Sequence, residues 1–130
     1  MPSLLAVTAR ALTGIPYIML GAEAAQTPGK RVDVAAPTLD KIRGVVPLPV
    51  DNETVVRANG AVQAVGGALI ATGVAPRIGA GVVLGSLIPT TAAGHAFWGV
   101  TDPVARKQQQ VQFLKNVLMA GGLVAVVAAR

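Results

Sequence analysis

Four apolar segments, separated by proline, glycine and charge, run along the chain at roughly 4–22, 54–72, 77–94 and 111–129. Each approaches the ~20 residues needed to cross a bilayer core of ~30 Å. The clearest lies within Ile78–Thr101, 24 residues without Asp, Glu, Lys or Arg. The pattern predicts an all-α membrane protein. Its expected form is a four-transmembrane-helix bundle in a single domain, 1–130, with one long loop, 23–53, between helices 1 and 2. Pro16 and Pro89 should kink their helices rather than end them, because neighbouring helices re-satisfy the freed carbonyls. Gly73 to Pro76 reads as a tight turn between antiparallel helices. Asp102-Pro103 reads as an N-cap followed by proline at the first helical position.

Within the long loop, Thr38–Arg43 predicts a short amphipathic turn or helix. Leu39, Ile42 and Val46 would share one face at i, i+3, i+7, suited to the membrane surface. Pro47-Leu48-Pro49 stiffens the return to the second span. Lys30, Arg31, Lys41, Arg43, Arg106 and Lys107 fall on one side of the membrane, against Arg77, Arg130 and Arg10 on the other. The positive-inside bias puts loops 23–53 and 95–107 in the cytoplasm and both termini outside.

Composition agrees with lipid burial. Charged residues make up 13% of the 130 residues, about half the ~25% of a soluble domain. The net charge of +5 clusters between apolar runs. That placement fits topology and anionic headgroups rather than nucleic acid. Aromatics at 3% provide no stacking platform for bases. Cysteine is absent, which excludes disulfides, thiolate metal sites and cysteine redox chemistry in this chain. One histidine excludes a haem with two histidine ligands from one chain. Arg10 interrupts the first apolar segment, and no positive residue precedes it, so the segment reads as a retained helix rather than a signal peptide.

Each span carries a polar stripe: Arg10, Thr13 and Tyr17; Arg57, Asn59 and Gln63; Ser86 and Thr90; Gln108, Gln112 and Lys115 or Asn116. Polar side chains in lipid normally face the bundle interior. Two readings follow. The stripes tie helices together, at about 0.6 kcal/mol per hydrogen bond. Alternatively they line a cavity for a small polar molecule or a quinone headgroup, with Arg57, Asn59, Gln63, Thr90, His95, Gln112, Lys115 and Asn116 as candidate ligands. His95 has no second His, Cys or Glu-x-x-His partner, so it suggests an interfacial hydrogen bond rather than a metal site. No nucleophile–base pair or paired carboxylates point to catalysis. Gly81-x-x-x-Gly85 reads as a small-residue packing face, with Gly60-x-x-x-Ala64 as its partner and Pro89 as a kink beyond it.

Four groups of residues carry a family resemblance. They are Arg57-x-Asn59-Gly60-Ala61-Val62-Gln63; Ala71-Thr72-Gly73-x-x-Pro76-Arg77; Ser86-Leu87-Ile88-Pro89-Thr90-Thr91-x-x-Gly94-His95-x-Phe97-Trp98; and Gln112-Phe113-Leu114-Lys115-Asn116. Together they resemble DoxX/DoxD-like membrane proteins of the actinobacterial type. The resemblance implies a four-helix protein of the bacterial cell membrane, associated with quinone-linked sulfur-compound oxidation or with complexes that handle oxidative stress. It implies no catalytic residue set. The expectation is a non-catalytic anchor or accessory component of a membrane oxidoreductase or oxidative-stress complex, without an intrinsic cofactor. It would contact the lipid bilayer and other subunits or further copies of itself. The alternatives are a menaquinone- or other quinone-binding subunit of a thiosulfate:quinone-type oxidoreductase, and a small lipid- or solute-handling protein.

Overall fold

The computed structural model describes residues 2–95 and 97–129; Arg130, counted above for topology, lies outside them. The described chain is helical throughout, with no strand: α1 (Leu4–Gln26), α2 (Lys30–Arg43), α3 (Asn52–Thr72), α4 (Pro76–Gly94) and α5 (Pro103–Ala128). A single 3₁₀ turn, Phe97–Gly99, precedes α5.

Capping residues set the starts of three long helices. Ser3, Asp51 and Asp102 accept hydrogen bonds from the backbone N–H groups of Ala6, Thr54 and Ala105, satisfying donors that the first helical turn leaves free. Asp102 and Pro103 thus open α5 as the sequence pattern predicts. Gly73 ends α3 with φ 73°, a left-handed conformation that glycine adopts without a Cβ penalty. Pro16 and Pro89 both sit inside continuous helices.

The expected long loop is corrected. α1 continues to Gln26, and α2 occupies 14 residues of the connection. Pro37 lies inside α2 on its exposed side, where a missing N–H is tolerated. The inward positions are Val32, Ala35, Ala36, Leu39 and Arg43, a helical stripe that packs on α3 and α4. Leu39 is buried, whereas Ile42 and Val46 are exposed. The apolar face is therefore rotated from the one expected.

The long helices form a row, α1–α3–α4–α5, each antiparallel to the next, and no broad contact joins α1 to α5. Backbones in the row approach closely at glycines. Gly14 and Gly21 of α1 oppose Gly67 and Gly60 of α3. Gly66 of α3 opposes Gly79 of α4. The spacing of seven residues keeps each glycine pair on one helix face. Gly60 therefore packs on α1. Gly81 and Gly85 have no atom within 4 Å of the position a Cβ would take. They face outward because α4 turns Ala80, Val83 and Leu87 toward the core instead.

Three helices, α1, α4 and α5, are long and apolar enough to cross a membrane, with only 17%, 24% and 11% of their apolar windows buried within the chain. Large apolar side chains point outward instead: Leu4, Leu12 and Met19 on α1, Ile78 and Ile88 on α4, Leu114 and Leu118 on α5. Apolar surface this extensive fits a lipid environment.

Candidate functional site

The polar interior centres on α4 around Pro89. The Gln63 side-chain amide donates to Ser86 Oγ at 3.1 Å. The Ser86 hydroxyl donates to Asn59 Oδ1 at 2.5 Å. Asn59 Nδ2 donates to Thr90 Oγ1 at 2.9 Å, and the Thr90 hydroxyl donates to the Ser86 carbonyl at 2.8 Å. Donors and acceptors follow one another without conflict, so one set of rotamers makes all four hydrogen bonds at once. The antiparallel α3–α4 pairing creates this arrangement by placing Asn59 and Gln63, one turn apart, opposite Thr90 and Ser86, also one turn apart.

Two further links extend from the same end of α4 to α5. Asn116 Nδ2 donates to Thr91 Oγ1 at 2.8 Å. His95 Nδ1 lies 2.8 Å from Gln109 Oε1. Beside this pair, Phe97, Trp98 and Phe113 meet edge to face, with ring centroids 5.4–5.8 Å apart. Such geometry aligns the positive edge of one ring with the negative face of the next. Three of the chain's four aromatic residues are thus gathered at the α4–α5 connection.

The eight candidate ligands do not converge on one cavity. Asn59, Gln63 and Thr90 bond within the α3–α4 network. Asn116 joins Thr91, and His95 joins Gln109. Arg57 serves α1 instead: Nη1 donates to the Ala25 and Gln26 carbonyls at 2.7 and 3.0 Å, while Nη2 pairs with Glu53 at 3.0 Å. It thereby caps a helix C-terminus, where a cation is favoured. Gln112 and Lys115 lie on the outer face of α5. Gln112 borders an open depression with Val104, Lys107 and Val111. A second open depression lies between Arg43 and Glu53. Neither is lined by Asn59, Gln63, Thr90 or His95.

Three participants, Ser86, Thr91 and Gln109, escaped the candidate ligand set. Ser86 was visible in the α4 stripe, but its hydroxyl is the node joining both α3 amides. Gln109 lies in a run of three glutamines, Gln108–Gln110, whose uniform polarity conceals the inward side. The inward stripe of α5 follows Gln109, Phe113, Asn116 and Leu123, one residue round from the stripe through Gln108 and Gln112.

A second polar tie fixes the base of α2. Arg43 donates to Asn52 Oδ1 and, at 2.6 Å, to the Val50 carbonyl. Asp51, between them, is held below the ordinary carboxylate range by its side-chain and backbone hydrogen bonds with Thr54, with a smaller contribution from Arg43. Comparison with known proteins finds no matching family model, curated protein or solved structure.

Proposed function

We propose that the chain is a non-catalytic integral membrane subunit, similar in kind to the DoxX-like proteins, that anchors or supports a bacterial membrane oxidoreductase or oxidative-stress complex. The observation that carries this reading is the closure of the Gln63–Ser86–Asn59–Thr90 network on itself. Its polar groups are spent on joining helices, as expected of polar residues that hold a membrane bundle together.

In this reading α3 is the fourth span. Its 21 residues extend about 31 Å at 1.5 Å per residue, and it lies between α1 and α4. Asn59 and Gln63 lower its apparent hydropathy but bond across to α4. The open row leaves the outer faces of α1 and α5 to lipid or to other subunits. The mixed-charge end, with α2 and the Asp102 turn, would face the cytoplasm and offer a platform for a soluble component.

Gentle extraction of the tagged protein, followed by native mass spectrometry, tests the proposal. The expected result is a stoichiometric complex with other membrane or peripheral subunits. A strictly solitary chain under conditions that preserve other respiratory complexes would refute it.

A further inference from the structure

Arg10 lies six residues inside α1, and its side chain runs along α3 to Gly73 at the α3–α4 turn. A Cβ at Gly73 would sit 2.9 Å from Arg10 Nε and 3.0 Å from Cζ. Nε is buried and has no hydrogen-bond partner among the described residues. A buried, unpaired guanidinium N–H in a membrane protein is costly.

Among the described residues no acidic side chain lies there. All six acidic residues, Glu23, Asp33, Asp40, Asp51, Glu53 and Asp102, belong to the opposite end of the helix row. The Arg31–Glu23 and Arg57–Glu53 ion pairs lie at that end too. On the Arg10 side the second cation, Arg77, opens α4 and donates through Nε to the Val127 carbonyl at 2.9 Å. The first turn of α4 has no capping side chain, unlike α1, α3 and α5. Its backbone N–H groups lie at the same turn as the carbonyl end of α3, so an anion beside Arg10 would also meet free N–H donors.

We propose that Arg10, at the Gly73 turn, binds a phosphate group, supplied in the membrane by the headgroup of an anionic phospholipid. The guanidinium fork matches two phosphate oxygens. Its position at the end of the row, beside the α3–α4 turn, sets it at headgroup depth. This inference requires the helix row to be embedded in lipid, but it does not depend on the accessory-subunit role.

The test uses the full chain in neutral detergent. Native mass spectrometry with equimolar phosphatidylglycerol and phosphatidylcholine should show preferential retention of phosphatidylglycerol. In Arg10→Gln, retention should fall about tenfold, the loss expected from one charge-assisted contact. Arg10→Lys should restore part of it. Arg106→Gln, at the opposite end, should leave it unchanged. A thermal-shift arm adds inorganic phosphate alone. A shift lost in Arg10→Gln would show that the phosphate group suffices, whereas a shift only with phosphatidylglycerol would assign the site to lipid. Equal retention of both lipids by the wild type overturns the proposal whether or not the variants fold. So does unchanged phosphatidylglycerol retention in a folded Arg10→Gln protein.

Discussion

Replacing Gly14 by alanine tests the α1–α3 contact on which the helix row depends. The added carbon would lie 2.6 Å from the Ala71 amide nitrogen and 2.8 Å from Ala71 Cβ. Ordinary carbon contacts are ~3.5–4.0 Å, so the helices must separate by about 1 Å, and a gap of that size forfeits a quarter to a half of each dispersion contact it opens. Overpacking of this kind costs about 1–3 kcal/mol. Better helix propensity of alanine returns up to ~1 kcal/mol. The net expectation is a loss of about 1–2 kcal/mol, and similarly for Gly21→Ala, where the new carbon would meet the Ala64 nitrogen at 2.6 Å. Gly81→Ala is the internal control. It meets nothing within 4 Å and should be neutral or stabilising by up to ~1 kcal/mol. Reversible unfolding in mixed micelles, followed by circular dichroism, measures all three. The Gly14→Ala/Gly67→Ala pair should be less destabilising than the sum of its singles, because one separation relieves both clashes. Wild-type stability in Gly14→Ala and Gly21→Ala, or an equal loss in Gly81→Ala, would refute the packing described here.

Asp51 has a lower pKa folded than unfolded. Its capping contribution is therefore complete at neutral pH and is lost as pH falls below the ordinary carboxylate value of about 3.8 and through the folded value. Selective fraying of the first turn of α3, followed by the Thr54 amide resonance, should be absent in Asp51→Asn, which caps without titrating. Phe113→Ala removes one of the two rings packed on Trp98, so emission from this sole tryptophan should change while helix content is retained; an unchanged spectrum would contradict the cluster. Cysteines introduced as Val34→Cys and Val74→Cys, both at exposed positions, have no native thiol background. Four spans predict that they label from opposite sides of the membrane, with position 34 accessible only from the cytoplasm.

The helical class, three apolar spans, the Gly73 turn and the Asp102 cap were legible because hydropathy, glycine and capping side chains act locally. α2 was less legible. Pro37 suggests a break, yet on an exposed face it removes only one helical hydrogen bond. The packing glycines show why partner choice is not local. Gly81 and Gly85 have the same spacing as a contact motif, but the orientation of α4 is set by Ala80, Val83 and Leu87, and contact falls to Gly79 instead. The polar set was partly legible. Asn59, Gln63, Ser86 and Thr90 share helical spacing, but spacing alone does not reveal that they satisfy one another. Arg57 looked available for a ligand until α1 extended to Gln26 and placed its terminal carbonyls within reach.

Quinone analysis of the purified protein tests the central claim most directly, because a self-satisfied polar network and a ligand site give opposite results. The wild type and Asn59→Leu/Gln63→Leu would be extracted with native lipid, their quinone quantified per chain, and their unfolding compared. The account predicts quinone well below one per chain in the wild type, unchanged in the variant, together with a loss of about 1–2 kcal/mol of stability from the broken interhelical bonds. One quinone per wild-type chain, lost in a variant of undiminished stability, would contradict it.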